Sequence, residues 1–105
     1  MDNKNISLGF IGFGRVVEWQ IKQIFNLDIS INFIVDISNE KLKEAKKILP
    51  NTKLFNNLDD LFKDKSLENT DYVVIATPSG THFSVAKKII SNKKWKLIIE
   101  KPTFL

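Results

Sequence analysis

Two glycines one residue apart, Gly12 and Gly14, stand between an apolar run and a stretch of helical period. That junction constrains the fold more than any other part of the chain. The run Ile6-Ser7-Leu8-Gly9-Phe10-Ile11 reads as a strand, and Val17, Ile21 and Ile24 then share one face of a helix. A second apolar run, Ile31-Asn32-Phe33-Ile34-Val35, ends in Asp36, 22 residues after Gly14. Strand, tight turn, helix, strand, acid is the order of a dinucleotide-binding βαβ unit. Gly12 lets the chain turn sharply out of the strand, and Gly14, lacking a Cβ, lets a pyrophosphate come close to the backbone. The unpaired N–H groups and the dipole of the following helix N-terminus favour that anion. Asp36 stands where a carboxylate accepts from the ribose hydroxyls of an adenosine, which favours NAD over NADP, because a 2′-phosphate there meets like charge. The third small position of the fingerprint holds Val17, which predicts a helix pushed slightly outward or tilted. The plainer alternative is a βαβ unit whose glycine turn binds nothing.

The rest of the chain continues the alternation. The first helix is expected over 16–25, with Trp19 at its edge, and the second strand from Ser30. Ser38 or Asn39 caps a second helix over 40–49, which Pro50 stops. A short strand Lys53–Phe55 leads to Asn57, a cap for a brief helix, and then to a polar linker over 64–70. A fourth strand spans 71–77, a helix 81–91, and a fifth strand 95–99. Strands and helices joined by short right-handed connections give an α/β fold, a three-layer doubly wound parallel sheet with strand order 3-2-1-4-5. Ligand groups then belong beyond the C-terminal ends of strands 1 and 4.

Size and composition narrow the function classes. The 105 residues make one domain. No apolar run approaches 18 residues, and the polar start Met1-Asp2-Asn3-Lys4-Asn5 is not a secretory signal, so a membrane partner is not expected and the location is read as cytoplasmic. Cysteine is absent and histidine occurs once, which argues against disulfides and a structural zinc site. Lysine and arginine exceed aspartate and glutamate, 16 against 12, but the lysines are scattered and no basic stripe interleaved with aromatics appears. Nucleic acid is not the expected partner.

The chemistry-bearing residues all fall just past strand ends, and in a parallel sheet these points share one edge. Thr77 and Ser79 after the fourth strand suit a phosphate or a ribose, or else a helix cap. His82 follows one turn into the next helix. Glu100-Lys101-Pro102 follows the fifth strand directly, where simple turn chemistry would use Gly, Asn or Ser. Lys101 there brings an ammonium to the crevice mouth, able to bond a substrate oxygen and stabilise developing negative charge. The alternative for this pair is a surface ion pair.

These residues resemble a family. The glycine turn, Ile-Val-Asp at 34–36, Val-Ile-Ala-Thr-Pro-Ser-Gly-Thr-His at 74–82 and Ile-Ile-Glu-Lys-Pro at 98–102 are similar to the N-terminal domain of the Gfo/Idh/MocA oxidoreductases. The resemblance runs from Ile6 to Thr103. It implies an NAD(P)-binding Rossmann domain with Gly12, Phe13, Gly14, Arg15 and Val16 at the pyrophosphate and Asp36 and Ile37 at the adenosine ribose. Thr77, Pro78, Ser79 and His82 would lie along the cofactor, Glu100 and Lys101 near the nicotinamide, and Lys101 matches the family's catalytic lysine.

The implied activity is that of an NAD(P)-dependent dehydrogenase acting on a hydroxyl of a sugar, nucleotide sugar or polyol. A place in surface polysaccharide synthesis is a further expectation. The family's second, α+β domain has no counterpart in 1–105. The resemblance therefore implies a cofactor domain inactive alone, a homo-oligomer in the full-length enzyme, and exposed or chain-contacting apolar groups at Trp95, Phe104 and Leu105. A nucleotide-sensing regulatory module without catalysis is the alternative, and a structural relic that binds nothing is a third reading.

Overall fold

The computed structural model describes residues 6–24, 27–77 and 82–99. In chain order it contains β1 (Ile6–Ile11), α1 (Arg15–Ile24), β2 (Ile29–Val35), α2 (Asn39–Ile48) and β3 (Lys53–Phe55). There follow α3 (Leu58–Lys63), a 3-10 turn (Lys65–Leu67), β4 (Tyr72–Ile75), α4 (His82–Asn92) and β5 (Lys96–Ile99). All four strand pairings are parallel, and the order is β3-β2-β1-β4-β5, the expected doubly wound sheet.

Side chains of successive strand residues point to opposite faces, and the register turns this alternation into two cores. Phe10 pairs with Ile34 and Val74, and all three pack on one face with Val17 and Ile21 of α1 and Ala45 of α2. Ile11 pairs with Val35 and Ile75 and faces the other way, against Leu61 of α3 and Ala86 and Ile89 of α4. Burying a large aliphatic side chain such as Ile21 contributes roughly 1.5–3 kcal/mol. The central strands, with helices on both sides, are therefore where the fold is held together.

The helices begin where their caps dictate. The Ser38 Oγ accepts from the Lys41 N–H at 3.3 Å, so Ser38 caps α2. The Asn57 Oδ1 accepts from the Asp60 N–H at 2.8 Å and starts α3. Val17 is 1% exposed, and the helix face it shares with Ile21 closes onto Ile34 and Phe10. The third turn position is thus filled by core packing. Trp19 lies on the opposite side of α1 and is 63% exposed, further into solvent than the helix edge expected of it.

Two expectations are corrected. The segment over 64–70 is more than a polar linker: between exposed residues, Leu67 and Thr70 are buried, and the Leu67 carbonyl accepts from both the Thr70 hydroxyl (2.7 Å) and the Trp95 Nε1–H (3.2 Å). The register of β1 on β2 shifts between Leu8 and Gly9, and Asn32 in β2, opposite that shift, donates its Nδ2–H to the Thr70 Oγ1 at 3.0 Å. Trp95 is the second correction. It is 7% exposed and packs inside its own domain, its ring 5.4 Å from that of Phe33, because the face of β2 behind it offers an aromatic partner. Phe104 and Leu105 lie outside the described residues.

Candidate functional site

The C-terminal ends of β1, β2 and β4 meet at one edge, and the hydrogen-bond ladders run past the strands there. The Ala76 N–H donates to the Ile11 carbonyl at 2.8 Å, the Gly12 N–H to Val35 at 2.6 Å, and the Asp36 N–H to Phe55 at 3.0 Å. Gly12 adopts φ 102°, and a Cβ on it would stand 2.8 Å from the Ala76 carbonyl oxygen. Glycine is required on two counts, a left-handed backbone and a close approach by the chain leaving β4. Gly14 is different. A Cβ there would meet nothing within 4 Å, so the space beside it is open.

The Gly14 carbonyl accepts from the Glu18 N–H at 3.0 Å, which makes Gly14 the residue from which α1 is launched. The first N–H groups of α1, beginning at Arg15, therefore have no partners from within the helix. Arg15 and Val16 are exposed at this helix end. The helix dipole and a guanidinium on the rim both favour an anion.

Phe13, between the glycines, does not face the crevice. Its side chain is 2% exposed in the core with Phe10 and Val17, and its N–H donates to the Asp36 Oδ2 at 2.8 Å. The other carboxylate oxygen, Oδ1, accepts from the Ser38 N–H at 2.8 Å. Sequence reasoning gave Asp36 only a ligand to hold and missed this link. The signal for it was an apolar residue between two glycines, which had to bury its ring and so orient its amide. Ile37, next to Asp36, is 91% exposed.

Across the crevice, Thr77 follows β4. Its Oγ1 is shut off from solvent and has no hydrogen-bond partner among the described residues. A buried hydroxyl without a partner is costly, and this one lies at the sheet's switch point, where β1 and β4 diverge to helices on opposite faces. His82 opens α4. Pro78, Ser79, Glu100 and Lys101 lie outside the described residues. Among the described residues no cluster of His, Cys, Asp or Glu is placed to hold a metal ion, and no helix is long and apolar enough to cross a membrane.

The open space at Gly14, the helix end beside it, the fixed acid and the buried hydroxyl suit the anion, ribose and further polar groups of a dinucleotide. The comparisons agree with that fit. The family model GFO_IDH_MocA, an oxidoreductase family with an NAD-binding Rossmann fold, matches residues 6–105. The WlbA dehydrogenase of Bordetella pertussis, solved with NADH and UDP-GlcNAcA, is 28% identical with a TM-score of 0.78, covering 94% of this chain and 29% of that one. The apo scyllo-inositol dehydrogenase of Lactobacillus casei is 26% identical with a TM-score of 0.75, covering 97% and 30%. A glycerol-3-phosphate dehydrogenase [NAD(P)+] of Clostridium botulinum (strain Eklund 17B / Type B) is 37% identical over 78 residues, 72% of this chain and 22% of the relative. The chain spans less than a third of the length of each of these relatives.

Proposed function

Because this chain belongs to the Gfo/Idh/MocA oxidoreductases and forms their NAD-binding Rossmann-fold domain, we propose that it is the cofactor-binding domain of a dehydrogenase acting on a hydroxyl of a sugar, nucleotide sugar or polyol. The observation that carries the assignment of the site is the open space at Gly14 beneath the start of α1, bordered by an acid held at both oxygens. The backbone of Gly14, Arg15 and Val16 would hold the pyrophosphate, with Gly12 setting the turn. Asp36 would accept from the adenosine ribose, with Ile37 beside it. Thr77, Pro78, Ser79 and His82 would line the path toward the nicotinamide, with Glu100 and Lys101 at its far end.

Bound NAD supplies the hydride acceptor and donor. The chain's own contribution is position and charge. Lys101 would hydrogen-bond the substrate hydroxyl oxygen and stabilise the negative charge that develops as its proton leaves. A second, α+β domain would supply the acid–base group and most substrate contacts. Dehydrogenases solved with scyllo-inositol and with UDP-GlcNAcA support the substrate class.

Fluorescence titration of the 105-residue chain with NADH tests this reading. Saturable binding is expected, tighter than that of NADPH at equal ionic strength, because two unit charges about 4 Å apart at an effective dielectric of 20 repel by roughly 4 kcal/mol before relaxation. Equal or tighter NADPH binding would remove the role given to Asp36. Steady NADH production from simple sugars by this chain alone is not expected, since the loss of a general acid–base typically costs about 10²–10⁴ in rate.

A further inference from the structure

We infer that Asp36 is also the clasp of the pyrophosphate-binding turn: its carboxylate accepts the Phe13 N–H and sets the position of the glycine turn before any ligand arrives. This rests on the reading of the crevice as a dinucleotide site. The Gly12 N–H bonds the Val35 carbonyl at 2.6 Å, and one residue further on the Phe13 N–H bonds the Asp36 side chain at 2.8 Å. In a continued strand the Phe13 N–H would point away from β2; because the chain turns out of the strand at Gly12, whose φ is 102°, that N–H meets the Asp36 side chain instead. The second oxygen is held by the Ser38 N–H at 2.8 Å, and Ser38 is itself fixed as the cap of α2. One carboxylate thereby ties the turn after β1 to the start of α2.

Two consequences follow. The Phe13 amide is committed to Asp36, so an anion in the turn is left to the amides from Gly14 onward. Each carboxylate oxygen also keeps a second lone pair, so Asp36 can accept a ribose hydroxyl without releasing the turn. Ribose recognition and turn geometry are then carried by the same group. Charge alone predicts the reverse for an anionic ligand, since removing a nearby negative charge strengthens anion binding.

The test uses two neutral variants, Asp36→Asn and Asp36→Ala, with inorganic pyrophosphate as a probe that has no ribose and NADH as the full ligand. Both variants lose the charge, but only asparagine keeps an acceptor oxygen at that place. Asp36→Ala should bind pyrophosphate about three- to tenfold more weakly than Asp36→Asn, the worth of one net hydrogen bond. In the ligand-free chain the Phe13 amide should exchange its hydrogen about tenfold faster or more in Asp36→Ala than in the wild type. Equal pyrophosphate affinity in the two variants, or an unchanged Phe13 exchange rate, overturns the clasp. If Asp36→Ala does not fold, Asp36→Asn decides the matter: its neutral oxygen is the weaker acceptor, so Phe13 should exchange faster than in the wild type, and an unchanged rate overturns the clasp. Failure of the wild type to bind NADH would instead sink the cofactor reading, and the amide exchange would still judge the clasp.

Discussion

Gly9 and Phe33 share one volume: a Cβ on Gly9 would overlap the Phe33 ring, which pairs with Gly9 across β1 and β2. The glycine in the middle of the strand is there to admit an aromatic ring, and that ring in turn backs Trp95 at 5.4 Å. Phe33 is completely buried, so it has nowhere to withdraw. Gly9→Ala should therefore destabilise the chain by about 1–3 kcal/mol through overpacking, despite the higher strand propensity of alanine. Urea unfolding measures this, and a midpoint at or above that of the wild type would contradict it.

The two tryptophans should behave in opposite ways. Trp19 is 63% exposed on α1, whereas Trp95 is buried with its Nε1–H on the Leu67 carbonyl. Trp19→Phe should change stability by no more than about 0.5 kcal/mol. Trp95→Phe keeps an aromatic ring against Phe33 but removes a hydrogen bond, and should cost about 1–2 kcal/mol. Acrylamide should quench the Trp95→Phe variant, which retains only Trp19, far more readily than the reverse variant. Similar quenching of the two would refute the burial of Trp95.

The sequence carried the alternation of strands and helices, and with it the sheet order, because periodicity is local. What it did not carry are pairings across long separations. Leu67 and Thr70 look like linker residues until Trp95 and Asn32, 28 and 38 positions away, are brought to them. Trp95, expected to be exposed or in a chain–chain contact, is buried within the domain through the same long-range pairing. In the site, Gly12, Gly14 and Asp36 were legible from spacing. The bond between Phe13 and Asp36 was not, since a motif gives residue types and not the direction of an amide. The open crevice wall at Thr77 was legible only as a position past a strand, not as a hydroxyl lacking a partner.

Asp64 gives the fold a dependence on acid. Its carboxylate is held at about 2, down from 3.8, first by the hydrogen bond from Lys53 and then by that from Ser66. The Lys53 Nζ lies 2.7 Å from Oδ2, and the Ser66 hydroxyl 2.6 Å from Oδ1. A group whose pKa is depressed by folding is protonated first in the unfolded chain as pH falls. Its contribution is complete above about 4, shrinks between there and about 2, and is gone below. Asp64→Asn should flatten the pH dependence of unfolding across that interval and leave it unchanged near neutrality. Urea midpoints at a series of pH values check this, and an unaltered slope in the variant would show that Asp64 is not its source.

Thr77 joins stability to binding with opposite signs. Its hydroxyl oxygen is buried beside the crevice with no partner among the described residues, and a buried polar group left unpaired costs roughly 1–3 kcal/mol. Thr77→Val keeps the shape and removes that group, so the ligand-free chain should become more stable by about 1 kcal/mol. If the hydroxyl is kept for the cofactor, the same change should weaken NADH binding by about three- to tenfold, the worth of one net hydrogen bond. Thr77→Ser, which keeps the hydroxyl and loses a methyl group, should bind NADH nearly as the wild type does while falling below it in stability. The paired measurements are urea unfolding without ligand and NADH titration. A valine variant that is more stable and binds NADH undiminished would mean that the hydroxyl serves no ligand. One that is less stable would mean that the oxygen has a partner in solution after all.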